Sequence, residues 1–97
     1  MLGSNASTTE KTITANLNDY KFLALAEFGQ SNNDSSNLVT IPLALFKTTK
    51  IFVSRYNSAT SNASSYGARA EYVSDTQFKL KLLTSDSGYE ARLYGIK

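Results

Sequence analysis

The sequence predicts a small antiparallel β-sandwich of about seven strands, with a jelly roll as a candidate arrangement. Short stretches of alternating apolar and polar residues recur along the 97 residues, and turn-forming residues separate them. No stretch has the length of a stable helix, since the best candidate, residues 43–47, is too short to stand alone. The last three predicted strands are joined by short turns, whereas earlier connections are long enough to cross between two sheets.

Each predicted strand follows from its own alternation of residue types. The seven strands are 11–17, 20–28, 38–45, 50–56, 66–74, 77–83 and 89–96. Pro42 lacks the N–H donor of a ladder, so the third strand is at an edge, contains a bulge or ends there. Asp75 and Thr76 predict a tight hairpin between the fifth and sixth strands. We expect residues 1–10 to be a linker or a non-native remnant, and residues 11–97 to form a single β-sandwich domain.

The second predicted strand, 20–28, is apolar on both of its faces. Phe22 and Phe28 fall on the face that we expect to join the sandwich core. Leu23 and Leu25 fall on the opposite face, which needs a second cover. That cover is either another part of the same chain or another copy of it. We favour another copy, and a similar mixed face on the last strand suggests further contacts. The predicted interface residues are therefore Leu23, Leu25, Tyr94 and Ile96.

The composition argues against several classes of function. The chain contains no histidine and no cysteine, which argues against a zinc site, a disulfide and a Ser-His-Asp or Cys-His catalytic arrangement. Its ten cationic residues are scattered and its net charge is +2, so we expect no nucleic-acid binding. No apolar run is long enough for membrane insertion. The carboxylates lie in turns or beside Lys and Arg, so we expect no enzymatic activity, no metal and no cofactor.

Two polar loops, 29–37 and 57–65, are rich in Asn and Ser. Tyrosines flank the second loop, and an aromatic ring beside short polar side chains is suited to stacking on a sugar and hydrogen bonding to its hydroxyls. The alternative is that these rings close the end of the sandwich as part of the core. The candidate ligand-binding residues are Asn32, Asn33, Asp34, Tyr56, Asn57, Asn62 and Tyr66.

Three short segments give the chain a family resemblance. They are Asn18-Asp19-Tyr20-Lys21-Phe22-Leu23, Ile41-Pro42-Leu43-Ala44-Leu45-Phe46-Lys47 and Tyr94-Gly95-Ile96-Lys97. Over most of residues 12–97 the chain resembles the C-terminal tip domains of tail-fibre and receptor-binding proteins from phages of Gram-positive bacteria. The resemblance implies a β-sandwich tip, usually a homotrimer, that is displayed on the virion and often binds a cell-surface saccharide. It carries over no catalytic residue.

Two functions are consistent with these observations. The first is a host-surface-binding tip of a trimeric tail fibre, with a saccharide as its partner. The alternative is a trimerisation or structural cap that has no ligand of its own. A third and weaker hypothesis is a saccharide-binding accessory domain of a larger lysin or depolymerase.

Overall fold

The computed structural model describes residues 1–29, 35–57, 65–83 and 88–97, and it confirms the predicted antiparallel β-sandwich. The strands are β1 (Gly3–Asn5), β2 (Lys11–Thr14), β3 (Phe22–Gly29), β4 (Ser35–Pro42), β5 (Ile51–Asn57), β6 (Ser65–Ser74), β7 (Gln77–Leu82) and β8 (Tyr89–Ile96). A single turn of 3₁₀-helix (Leu17–Asp19) precedes β3, and one short helix, α1 (Leu43–Thr49), joins β4 to β5.

The eight strands form two four-stranded sheets in which every pairing is antiparallel. The order is β1-β8-β3-β4 in the first sheet and β2-β7-β6-β5 in the second. β6 and β7 are joined by the predicted hairpin turn, in which Ser74 pairs with Gln77. β8, however, crosses to the first sheet, so the last three strands are not a continuous meander. Two ends of the sandwich are distinguished below: the base, where β3 begins and β8 ends, and the loop end, where β3 ends and β8 begins.

The inner face of β3 is the face that carries the leucines. Leu23 and Leu25 are fully buried in the core of a single chain, so the prediction that they form an outward subunit contact is wrong. Phe22 is 43% exposed, so its expected place in the core is wrong as well. The alternation itself was correct, but a strand that is apolar on both sides does not show which side faces inward. The core residues are Leu17, Leu23, Leu25, Ile41, Leu43, Phe46, Ala68, Ala70, Phe78, Leu80, Leu82, Ala91 and Leu93.

The N-terminal segment belongs to the fold, which corrects its assignment as a linker. β1 pairs with β8, and the N–H of Leu2 donates to the carbonyl oxygen of Leu93 at 2.7 Å. Further along, the N–H of Leu82 in β7 donates to the carbonyl oxygen of Ser7 at 2.9 Å. These backbone bonds tie the segment to both sheets. Its small and polar residues gave no alternation signal, because the pairing depends on the backbone and not on an apolar face.

Helix α1 corrects the expectation that no helix forms. Its seven residues are too few for independent stability, so tertiary packing must hold it. Leu43 and Phe46, three residues apart on one helix face, are buried in the core. The Phe46 ring packs edge-to-face on Phe52 and Tyr72, with centroid distances of 5.1 and 5.8 Å. Pro42 ends β4, an edge strand with a register shift, as its missing donor predicted.

The base brings together the three segments that carry the family resemblance. The N–H of Lys21 donates to the carbonyl oxygen of Ile96, and its own carbonyl oxygen accepts from the N–H of Leu43, both at 2.9 Å. The ring of Tyr20 lies directly against Gly95, where a side chain would overlap it. These contacts join the start of β3, the start of α1 and the end of β8.

Leu25→Ala should lower the free energy of unfolding by about 2–5 kcal/mol, because it opens a cavity in the core. Phe22→Ala is the matched control on the other face of the same strand, and it should cost less than about 1 kcal/mol in the dissociated chain. Urea denaturation at low protein concentration measures both. Equal losses would show that the two faces are not divided as described.

Gly95→Ala should lower the free energy of unfolding by about 1–3 kcal/mol, because a methyl group there forces the Tyr20 ring to move. In a Tyr20→Ala background the same change should cost much less, since the overlapping ring is gone. A double-mutant cycle followed by thermal denaturation tests this coupling. If the two losses simply add, Tyr20 is not the constraint on Gly95.

Candidate functional site

Both predicted polar loops start and finish at the loop end of the sandwich. In the first sheet, Gly29 at the end of β3 pairs with Tyr89 at the start of β8. In the second sheet, Asn57 at the end of β5 pairs with Ser65 at the start of β6. β7 ends at Leu82 on this same edge and leads into β8, so the edges of the two sheets lie at one end of the molecule. The topology therefore groups segments that are distant in sequence.

The predicted ligand-binding residues divide into two groups in relation to the structure. Those outside the described residues are Asn32, Asn33, Asp34 and Asn62. The backbones of Tyr56, Asn57 and Tyr66 lie in β5 and β6 next to the loop end, and Tyr56 is directly opposite Tyr66 in the ladder. Their side chains lie outside the described part of the chain, so a ligand role for them remains a prediction.

The interior beneath the loop end contains small and polar groups. Glu27, which is 3% exposed, lies on the inner face of β3 opposite Ala91. On the second sheet the hydroxyl of Ser54 is buried and accepts a hydrogen bond from the N–H of Ala68 at 3.3 Å. The sequence predicts a cross-strand pair for Glu27, because it lies in a strand beside Lys or Arg residues. The structure instead places a carboxylate inside the sandwich, two residues from the end of β3.

The first sheet has an outward-facing surface that we call the β3–β8 outer face. It consists of Phe22, Ala24, Ala26, Phe28, Arg92, Tyr94 and Ile96, which are cross-strand partners or neighbours on one side of the sheet. Ile96 is 41% exposed and lies opposite Phe22, while Tyr94 is half-buried opposite Ala24. Two of the four predicted interface residues therefore lie on this face. Phe22 also lies here and was missed because it had been assigned to the core.

Arg92 organises the part of the outer face nearest the loop end. Its Nε donates to Glu90 Oε1 at 2.6 Å, and its guanidinium lies 4.6 Å from the centre of the Phe28 ring. Its Nη1 also donates to the hydroxyl oxygen of Tyr94 at 3.3 Å. The hydrogen bonds to Tyr94 and Glu90 raise the pKa of Arg92 above its usual value. This cluster adjoins the small side chain of Ala26, which is fully buried although it points away from the core.

A second polar cluster lies at the base, where the β6–β7 turn meets α1. The hydroxyl of Tyr72 donates to Asp75 Oδ1 at 2.6 Å, and Lys47 Nζ lies 3.0 Å from the same oxygen. Lys47 also donates to Asn18 Oδ1. Hydrogen bonds from Tyr72, Lys47 and Asn18 lower the pKa of Asp75 to about 2, and the bond to Asp75 raises the pKa of Tyr72. The cluster joins the turn to the helix, so its perturbed pKa values have a structural cause.

Within the described ranges, no group of three or more Asp and Glu side chains is placed to hold a metal ion. None of the helical segments described is long and apolar enough to cross a membrane.

Comparison of the chain with protein-family models, curated proteins and solved structures finds no match. Function is therefore inferred from the residues and geometry of this chain.

Asp75→Asn should flatten the acid dependence of stability between about pH 4 and pH 2. The pKa of Asp75 falls from 3.8 to about 2 on folding, so its carboxylate stabilises the fold above about pH 4 and loses that effect as the pH falls through 2. Tyr72→Phe removes one donor and should move the pKa of Asp75 part of the way back, as an NMR titration would show. A wild-type acid profile in Asp75→Asn would mean that other carboxylates control acid unfolding.

Proposed function

We propose that this chain is the host-surface-binding tip of a trimeric phage tail fibre or receptor-binding protein, and that its partner is a cell-surface saccharide. Its place would be on the virion, and its role would be attachment without catalysis. The observation that carries the proposal is the grouping of strand ends at the loop end. Gly29, Asn57 and Ser65, which flank the two Asn- and Ser-rich loops, lie on one end of a rigid sandwich.

The division between the two ends supports a tip. At the base, Lys21 and Leu43 tie the chain segments together through backbone hydrogen bonds. Short polar side chains beside tyrosines suit saccharide hydroxyls and the apolar face of a sugar ring. Binding would then depend on loop sequence, while the sandwich would hold the loops in position.

The β3–β8 outer face is the proposed subunit contact. Phe22 and Ile96 lie side by side and expose apolar surface, which burial against another chain would remove from water. The charges of Arg92 and Glu90 on the same face are already paired with each other, so they oppose assembly less than free charges would. Of the four predicted interface residues, this contact retains Tyr94 and Ile96. Phe22 takes the place of the two buried leucines.

The alternative function is a trimerisation or structural cap without a ligand. The exposed apolar pair of Phe22 and Ile96 favours it, since that pair is suited to assembly whether or not the loops bind anything. The two functions differ in what the loop residues do. A measurement of ligand binding therefore distinguishes them, whereas a measurement of oligomeric state does not.

The purified chain should be retained on cell-wall saccharides from Gram-positive hosts, measured on a glycan array. Replacing Asn32, Asn33 and Asp34 together with Ala should lower retention at least about tenfold, because each lost hydrogen bond costs about 0.5–1.5 kcal/mol. Thr12→Ala with Thr14→Ala, at exposed positions on β2, is the control and should bind normally. Absence of retention on every saccharide, with the assembly intact, would leave the cap as the function.

Phe22→Lys and Ile96→Lys should each reduce the number of chains per assembly threefold, because a charge replaces apolar contact surface. Light scattering after size exclusion measures this against the 10.6 kDa mass of one chain. Val73→Lys, at a valine on β6 that is 43% exposed, is the matched control and should not change the mass. An unchanged mass in both outer-face variants would contradict the proposed contact.

A further inference from the structure

We propose that the side chains of Lys47 and Asn18 are placed to form an isopeptide bond within the chain, with release of ammonia. The new bond joins Lys47 Nζ to Asn18 Cγ, and it links helix α1 covalently to the 3₁₀ turn that precedes β3. The site lies at the base of the sandwich. It does not depend on the proposed attachment function, which concerns the opposite end.

The amine and the amide of this pair are in direct contact. Lys47 Nζ donates to Asn18 Oδ1 at 2.5 Å. Because a carbonyl carbon lies about 1.2 Å from its oxygen, Asn18 Cγ is no farther than about 3.7 Å from the amine. Reacting atoms in a near-attack geometry are about 3–3.5 Å apart. A small rotation of the Asn18 amide is therefore enough to bring its carbonyl carbon to the nucleophile.

The carboxylate of Asp75 contacts both nitrogens that change their bonding. Its Oδ1 lies 3.0 Å from Lys47 Nζ, and the carboxylate also accepts a hydrogen bond from the side chain of Asn18. The donor in an asparagine side chain is the amide nitrogen Nδ2, which is the leaving group of the reaction. The pKa of Asp75 is lowered to about 2, so this group is a carboxylate that can accept a proton. One carboxylate therefore bridges the nucleophile and the leaving group.

The reaction exchanges one amide for another and needs no co-reactant. A lysine amine is nucleophilic only after it has lost its proton, and at neutral pH a small fraction of lysine amines has done so. The neutral amine of Lys47 attacks Asn18 Cγ, and the attacking nitrogen then gives one proton to Asp75. Asp75 passes this proton to Nδ2, the Cγ–Nδ2 bond breaks and ammonia leaves. The product is a secondary amide between the two side chains.

Buried neighbours hold the reacting groups in position. Leu17 and Phe46 are fully buried, and each directly precedes one of the two residues to be joined. The N–H of Leu17 donates to the carbonyl oxygen of Asp75 at 2.9 Å, and the hydroxyl of Tyr72 donates to its carboxylate at 2.6 Å. Well-oriented groups within one molecule reach effective concentrations of about 10⁵–10⁸ M, which compensates for the low reactivity of an amide.

Incubation of the purified chain at about pH 9 should lower its intact mass by the mass of one ammonia. The rate should rise about tenfold per pH unit between about pH 7 and pH 9, because the fraction of neutral amine rises in that proportion. Peptide mapping by tandem mass spectrometry should then recover a branched peptide that joins Lys47 to Asn18. This measurement needs no variant. An unchanged mass, or a loss of ammonia without the branched peptide, would overturn the proposal.

Lys47→Arg distinguishes this linkage from other losses of ammonia. The variant keeps a positive charge beside Asp75 but has no lysine amine, so its mass should not fall. Lys50→Arg is the matched control, at a lysine whose Nζ lies 4.7 Å from the centre of the Tyr72 ring, and it should lose ammonia as the wild type does. Asp75→Asn should slow the loss at least about tenfold, because no carboxylate then carries the proton between the nitrogens. A loss of ammonia in Lys47→Arg would show that an asparagine cyclises onto the backbone instead, which would overturn the proposal.

Discussion

The double pairing of β3 is the constraint on which the rest of the structure depends. β3 has β8 on one side and β4 on the other, and its inner leucines, Leu23 and Leu25, face the second sheet. A one-residue shift in the register of β3 would move each of its side chains to the opposite face of the sheet. The register of this one strand therefore determines which of its residues are core and which form the outer face. The burial of Phe78 and Leu80 across the sandwich follows from the same choice.

The two ends of the sandwich differ because different forces hold them. At the base, backbone hydrogen bonds at Lys21, the aromatic packing of Phe46 and the ion pair of Lys47 with Asp75 join segments that are far apart in sequence. At the loop end the interior contains Ser54 and Glu27, and the connections of both sheets leave from one edge. Because the contacts at the base do not involve the loops, the loop sequences can change without loss of the fold.

Sequence periodicity predicted the fold class and most strands because alternation reports local backbone geometry. It could not choose the inner face of β3, since Phe22 and Leu23 are both apolar and only packing against the second sheet distinguishes them. It missed β1, which is held by backbone pairing, and α1, which is held by Leu43 and Phe46 in the core. The sequence predicted two polar loops, and a ligand role for them stays a prediction. Their grouping depends on strand order, which no local pattern encodes.

Four of the exposed apolar residues lie on two separate surfaces. Phe22 and Ile96 lie on the outward side of the first sheet, where another chain could cover them by packing face to face. Ile51 and Val53 lie on β5, which is an edge strand of the second sheet among the described strands. The apolar side chains of a sheet face can be buried by any complementary apolar surface, whereas the backbone N–H and C=O groups of an edge strand are paired in a ladder only by another strand.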